Sequence, residues 1–155
     1  MHIAATSYTI ACPLALARAS SWFNKVSTRN QIKTTEPGTL YVVATPIGNL
    51  SDLSPRALEC LRNTDLILAE DTREFRKLAG RFQILTHVIS YHDHNERTRT
   101  PAIIEKLSCG ASAALVSDAG TPLISDPGYH LIRAAHQARI PVRTVPGPCS
   151  VTGAL

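Results

Sequence analysis

The sequence predicts an α/β fold in which helices flank a mainly parallel, five-stranded sheet. From Thr39 onward, short apolar runs alternate with amphipathic stretches, which is typical of strand and helix units repeated around a parallel sheet. Glycine and proline residues lie between many of these units and indicate the connecting loops. With 155 residues and a hydrophobic content of 44%, the chain is long enough to bury one substantial core.

Five short apolar runs predict the strands. The first of them, LYVVAT, is rich in β-branched residues and is followed by Pro46 and Gly48, which suits a buried strand that leads into a loop. The predicted strands are residues 40–45, 66–69, 87–90, 113–116 and 142–145.

Capping residues and helical periodicity predict the helices. Ser54 and Pro55 offer an N-cap and a first helical residue, and Ala57, Leu58 and Leu61 then share one helical face. The sequence therefore predicts a helix between the first two strands.

The second helix is expected to begin at Thr72 as its N-cap, to bury Phe75, Leu78 and Ala79, and to end at Gly80. Further helices are expected over residues 102–107, stopping near Gly110, over residues 127–138, and from residue 150 to the end of the chain.

The positive charge is concentrated in an N-terminal leader, which we place at residues 1–36. Its first 35 residues include four basic side chains and no Asp or Glu. The rest of the chain has twelve basic and twelve acidic residues, so the isoelectric point near 9.1 reflects the leader and does not by itself indicate nucleic-acid binding.

The composition of the leader is that of an organellar transit peptide, although a disordered tail or, less well, a secretory signal also fits. We therefore expect a cytoplasmic protein, or a mitochondrial or plastid one if the leader is a transit peptide. No run of 18 apolar residues predicts a membrane span.

Four cysteines, Cys12, Cys60, Cys109 and Cys149, are far apart in the sequence. They lack the paired short spacing of a structural zinc site. We interpret them as ordinary buried or half-buried thiols, which fits a reducing compartment.

The loops that follow the predicted strands are the candidate functional segments, because ligands of open parallel sheets bind beyond the carboxyl ends of the strands. Glycine and proline make these loops rigid and expose backbone groups that can hold a ligand. Each loop alone could be a tight turn, but several together favour a binding site. The loops are residues 45–50, 70–73, 90–96, 117–128 and 146–148.

Two acidic residues after the second strand, Glu70 and Asp71, are candidates for a general base or for carboxylates that hold a ribose or a loop. Asp71 could equally cap the helix that follows. Neither the GxGxxG pattern of dinucleotide sites nor the P-loop pattern is present.

The run HDHNE at residues 92–96 contains side chains that can bind metals. Neighbouring residues of an extended loop usually point apart. A polar surface turn and a loop that faces RNA or another substrate are both better supported than a metal site, and we predict no metal.

Five segments, ATPIGNLSDLSPRAL, AEDTR, SYHDHNE, VSDAGTPLISDPG and VPGP, closely resemble the ribosomal RNA small subunit methyltransferase I family in order and approximate spacing. That family belongs to the tetrapyrrole methylase superfamily. The resemblance covers residues 37–155 and implies a tetrapyrrole-methylase-like N-terminal domain, with no counterpart for the leader.

The resemblance implies two α/β domains with S-adenosyl-L-methionine between them and transfer of its methyl group to the ribose 2′-hydroxyl of a cytidine in small-subunit ribosomal RNA. Members of the family are generally homodimers. The cofactor-binding residues that it implies are Pro46, Gly48, Asp118, Ala119, Gly120, Thr121, Pro122, Ser125 and Asp126. The residues that it implies near the RNA, or in support of the pocket, are Glu70, Asp71, Arg73, His92, Asn95 and Glu96.

The sequence stops at Leu155, where members of that family continue into a second domain. We therefore expect that domain, and half of the cofactor pocket, to be absent, so that the 155 residues alone bind S-adenosyl-L-methionine weakly. Two alternatives remain open: a methylase of the same superfamily that acts on a tetrapyrrole or another small substrate, and a truncated, non-catalytic module.

Overall fold

The computed structural model describes residues 35–36, 38–124 and 126–155. The leader, to which the transit-peptide interpretation applies, lies outside the described residues except for residues 35 and 36. Within the described part of the chain, no helix has the length and apolar character needed to cross a membrane.

Five parallel strands form one sheet in the order β3-β2-β4-β1-β5. The predicted α/β class and parallel five-stranded sheet are confirmed. The strands are β1 (Leu40–Val43), β2 (Leu66–Ala69), β3 (Val88–Ser90), β4 (Ala113–Val116) and β5 (Val142–Val145). The bounds of β2, β4 and β5 are those predicted, whereas β3 begins one residue later. The prediction for β1 was two residues too long, because Thr45 pairs only through an isolated antiparallel bridge to Gly120.

Helices connect the strands. They are α1 (Pro55–Asn63), α2 (Thr72–Phe82), α3 (Glu96–Ser108), α4 (Tyr129–Gln137) and the short α5 (Ser150–Gly153), with a 3-10 turn at Leu50–Asp52. The predicted start of α1 is confirmed, since Ser54 Oγ accepts a hydrogen bond from the Ala57 amide at 3.1 Å and Pro55 is the first helical residue.

The predicted end of α2 was wrong, and its start corresponds to the capping role that the sequence left open for Asp71. Asp71, not Thr72, is the N-cap, because its carboxylate accepts a hydrogen bond from the Arg73 amide. The helix continues past Gly80 to Phe82 and ends at Gln83, whose φ of 54° is left-handed. A glycine inside a helix costs only about 1 kcal/mol relative to alanine and does not stop it.

The predicted bounds of α3 and α4 also need correction. Helix α3 begins at Glu96 rather than at residue 102, with Pro101 inside it. Pro101 lies in the second turn, so the backbone bond it removes is the one to the Arg97 carbonyl. Helix α4 begins at Tyr129 because Gly128 has a φ of 131°, which an α-helix does not accommodate.

Successive residues of a strand point to opposite faces of the sheet, and two hydrophobic clusters fill those faces. The first cluster includes Tyr41 and Val43 of β1 together with buried residues of α1 and α2. The second includes Leu40 of β1 together with buried residues of α3 and α4. Helices α1 and α2 therefore cover one face, and α3 and α4 cover the other.

This arrangement creates a crevice between β1 and β4. The two strands are neighbours, but the helices that follow them, α1 and α4, pack on opposite faces. Open α/β sheets bind ligands at this kind of switch point, just beyond the carboxyl ends of the strands.

The described cysteines differ in exposure. Cys60 is buried, and burial raises the pKa of its thiol to about 12, which makes it an unreactive core side chain. Cys149 is half-buried, whereas Cys109 is exposed, so the expectation of a buried or half-buried thiol was wrong at Cys109. Cys12 lies outside the described residues.

Candidate functional site

The loops that follow β1 and β4 are joined by a pair of backbone hydrogen bonds. The Thr45 amide donates to the Gly120 carbonyl at 2.8 Å, and the Gly120 amide donates to the Thr45 carbonyl at 3.1 Å. The buried Thr45 hydroxyl also donates to the Ser117 carbonyl at 3.3 Å. Gly120 has a φ of +83°, a conformation that glycine adopts most easily. These hydrogen bonds fix the backbone of the two loops relative to each other at the base of the crevice.

The loop that follows β5 packs against the same paired loops. The Thr121 hydroxyl donates to the Pro148 carbonyl at 3.0 Å. A Cβ atom added at Gly147 would lie 3.0 Å from the Ala44 Cβ atom, a separation that real side chains rarely tolerate. Three of the loops predicted to form a binding site therefore meet at one place.

Apolar side chains remain exposed on the loops after β1 and β4. The fractional exposures of Ile47, Leu50, Leu123 and Ile124 lie between 40% and 44%. A methyl carbon of Ile47 lies 3.2 Å from the position that a Cβ atom of residue 120 would take, so Ile47 borders the paired loops. These residues were missed by the sequence reasoning, which followed polar and glycine residues. The signal available was the occurrence of apolar residues in loops.

Carboxylates surround the half-buried Glu70 at the end of β2. Burial raises the pKa of Glu70, and the carboxylates of Asp118 and Asp126 raise it further, with a smaller contribution from Asp93. Asp118 also accepts a hydrogen bond from the Asp71 amide at 2.9 Å. The loops after β2, β3 and β4 therefore bring negative charge together at the carboxyl edge of the sheet.

Asp71 is held by its neighbour in the first turn of α2. Its carboxylate accepts from the Arg73 amide at 2.7 Å and pairs with the Arg73 guanidinium at 2.9 Å. Hydrogen bonds from Arg73 lower the pKa of Asp71 to about 2. The sequence left Asp71 open as a functional carboxylate or as a helix cap. These contacts are those of a helix cap. The side chain of Arg73 is 82% exposed.

His92 and Asn95 form a compact turn after β3. The Asn95 side-chain carbonyl accepts from the His92 amide at 3.0 Å, and the Asn95 amide nitrogen lies 2.9 Å from His92 Nε2. If the amide donates, the ring proton is on Nδ1. His92 Nδ1 is buried without a hydrogen-bond partner among the described residues, an arrangement that is normally costly.

Glu96 points inward rather than toward solvent. The residue is 8% exposed. One carboxylate oxygen accepts from the Gly128 amide at 3.4 Å, and the other lies 3.4 Å from His130 Nε2. Glu96 therefore connects the loop after β3 to the end of the loop after β4.

The remaining predicted residues lie along the same edge with different exposure. Pro46 and Pro122 are buried, Thr121 and Asp126 are half-buried, and Gly48, Asp118 and Ala119 are exposed. Ser125 lies outside the described residues. Among the residues that the structure describes, no three His, Cys, Asp or Glu side chains are grouped so that they could hold a metal ion.

The family model of the tetrapyrrole (corrin/porphyrin) methylases matches residues 39–155. A ribosomal RNA small subunit methyltransferase I from Xylella fastidiosa is 57% identical over 119 residues, which are 77% of this chain and 44% of the relative. The protein of the same name from Vibrio cholerae is 53% identical over 116 residues, which are 75% of this chain and 40% of the relative. The chain thus spans less than half the length of these relatives.

Solved structures share the fold at lower identity. A uroporphyrin-III-C-methyltransferase from Thermus thermophilus has a TM-score of 0.58 and 24% identity over 76% of this chain and 50% of its own. A diphthine synthase has a TM-score of 0.60 and 16% identity, covering 75% of this chain and 46% of its own. At these identities the likeness shows the fold alone.

Proposed function

The chain belongs to the tetrapyrrole methylase family, and we propose that it forms part of an S-adenosyl-L-methionine-dependent methyltransferase acting on small-subunit ribosomal RNA. The acceptor that we propose is the ribose 2′-hydroxyl of a cytidine. The observation that carries the proposal is the convergence of three rigid loops at the β1–β4 crevice, where α/β sheets bind ligands. The names of the relatives support RNA as the substrate.

The residues at this crevice fit S-adenosyl-L-methionine. Gly48, in the loop after β1, has open space where a Cβ atom would stand, which lets a ligand approach the backbone closely. The exposed apolar side chains of Ile47 and Leu123 offer surface for the adenine ring and the methionine chain. The carboxylates around Glu70 suit the positively charged sulfonium. We therefore assign cofactor contacts to the loops at residues 45–50 and 117–126.

Bound S-adenosyl-L-methionine would supply an activated methyl group. The protein must then hold the acceptor hydroxyl in line for attack and help to remove its proton. Glu70 is a better candidate than Asp71 for the base that accepts this proton. Its raised pKa makes it a stronger base than an ordinary carboxylate. Asp71, with a pKa of about 2 and its oxygens occupied by Arg73, is a weak base, so we assign it to capping.

Among the residues expected near the RNA, we assign Arg73, His92 and Asn95 to the RNA side of the site and Glu96 to support of the pocket. Arg73 is exposed at the carboxyl edge and can contact a phosphate. Asn95 orients the His92 ring, so we assign this pair to shaping the loop after β3 beside the RNA. Glu96 is buried, so we assign it to support of the pocket.

The homodimer and the cellular location stay predictions from the sequence.

The experiment is methyl transfer by the 155-residue chain from tritium-labelled S-adenosyl-L-methionine, supplied at saturating concentration, to small-subunit ribosomal RNA. Mass spectrometry of the digested RNA should detect 2′-O-methylcytidine, and the modified site should resist alkaline cleavage because the 2′-hydroxyl is blocked. A porphyrinoid acceptor is the parallel reaction. Transfer to the porphyrinoid alone contradicts the proposal.

A further inference from the structure

A cleft of about 330 Å³ lies between helices α3 and α4, outside the loops assigned to the cofactor. Arg97 and Pro101 of α3 line one side, and His130 and Arg133 of α4 line the other. The cleft is open to solvent rather than enclosed. The function proposed above does not use this cleft.

The cleft is electropositive. Arg97 and Arg133 are both exposed, and neither guanidinium forms an ion pair within the described part of the chain. The carboxylate of Glu96 contacts His130 at 3.4 Å but is buried and also accepts from the Gly128 amide. Glu96 therefore contacts His130 and forms no ion pair with either arginine among the described residues.

The surrounding sequence reinforces this charge. Residues 127–155 contain three arginines and two histidines but no Asp or Glu, whereas residues 36–126 contain nine basic and twelve acidic residues. The near-neutral total after the leader thus conceals two regions of opposite sign. The carboxyl edge around Glu70 lies within residues 36–126, whereas the cleft takes His130 and Arg133 from residues 127–155 and Arg97 from the other region.

The position of the cleft relates it to the carboxyl edge. Helices α3 and α4 both begin just after loops of that edge, and Arg97 and His130 lie in their first turns. Helix N-termini carry partial positive charge that favours anions. Glu96 joins the two helix starts through Gly128, so the cleft begins near the loops after β3 and β4.

We propose that the α3–α4 cleft binds backbone phosphates of the RNA, next to the nucleotide presented at the crevice. The inference rests on the proposed function in taking RNA as the substrate. Guanidinium groups bind phosphate through paired hydrogen bonds. Two such groups facing one cleft suit a phosphodiester chain, which carries one charge per nucleotide.

The test compares two double variants of the 155-residue protein. Arg97→Gln with Arg133→Gln removes the cleft charges. Arg76→Gln with Arg81→Gln, on exposed positions of α2, removes the same charge from the opposite face of the sheet. Fluorescence anisotropy measures the Kd for a single-stranded fragment of small-subunit ribosomal RNA over a series of salt concentrations, and circular dichroism confirms that both variants fold.

The cleft variant should reduce the slope of log affinity against log salt by about 1.4, or about 0.7 for each lost phosphate contact, which is roughly a 25-fold loss of affinity at 0.1 M salt. The control variant should leave the slope unchanged. Equal losses in both variants, or no binding by the unaltered protein, would overturn the proposal.

The outcomes also separate this proposal from the proposed function. RNA bound through the cleft, with methyl transfer to the porphyrinoid alone, contradicts the RNA methyltransferase and leaves the cleft proposal intact. Methyl transfer to RNA with an unchanged salt slope in the cleft variant contradicts the cleft and leaves the methyltransferase intact.

Discussion

Gly128, between the loop after β4 and helix α4, should tolerate no side chain. Its φ is +131°, and a Cβ atom there would lie 2.6 Å from Leu115 Cδ2 and 2.9 Å from Leu123 Cδ2. Leu115 is 1% exposed and has little freedom to move aside. The conformational strain of Gly128→Ala costs about 1–2 kcal/mol, and overpacking adds about 1–3 kcal/mol. We expect a total loss of about 2–5 kcal/mol in the free energy of unfolding.

Gly80→Ala is the matched control, because it is the same substitution at an exposed position inside α2, where a Cβ atom meets nothing within 4 Å. It should stabilise the protein by about 0.5–1 kcal/mol. Urea unfolding followed by far-ultraviolet circular dichroism measures both variants. A Gly128→Ala protein as stable as the parent, or a destabilised Gly80→Ala protein, would refute the reasoning.

Three further substitutions test the crevice. Thr45→Val removes the hydroxyl that donates to the Ser117 carbonyl in a buried setting and should lower the free energy of unfolding in urea by about 1–3 kcal/mol; no loss would mean that the hydroxyl is dispensable. Because the folded-state pKa of Glu70 is raised, methyl transfer should fall as pH decreases through that pKa, and Glu70→Gln should lose most activity together with this pH dependence. Glu70 should also destabilise the folded protein as pH rises through the same pKa, so Glu70→Gln should raise the thermal midpoint near neutral pH. Asp71→Asn should keep both activity and its pH profile, since asparagine also caps helices, but it should lose the stability that disappears between pH 3.8 and about 2 as Asp71 is protonated. An Asp71→Asn protein whose acid unfolding matched the parent would contradict the capping role.

The strands could be predicted from sequence because each is a short apolar run bounded by turn residues. β2, β4 and β5 have the predicted bounds. The helix ends could not be predicted as well, because they depend on local competition among caps. Asp71 competes with Thr72 for the start of α2, and α3 includes Pro101 because packing of its buried residues outweighs one lost backbone bond.

The convergence of glycine-rich and proline-rich loops was predictable, since the carboxyl ends of parallel strands share one edge. The pairing of Thr45 with Gly120 was not, because it joins loops separated by most of the described chain. The inward orientation of the Glu96 side chain could not be predicted either. A single sequence places it in a polar run, whereas the start of α3 turns its carboxylate toward Gly128.

Total charge was the least informative sequence quantity, and the structure explains why. Charges act over a Debye length of about 10 Å at 0.1 M salt, so a ligand responds to the side chains near it rather than to the sum. The carboxylates around Glu70 suit a cation, and Arg97 and Arg133 suit an anion. Glu96, at the start of α3, accepts from the Gly128 amide just before α4, so the two helices that carry these arginines are joined at their starts. Near-neutrality of the total is the expected result when one chain carries regions of opposite sign.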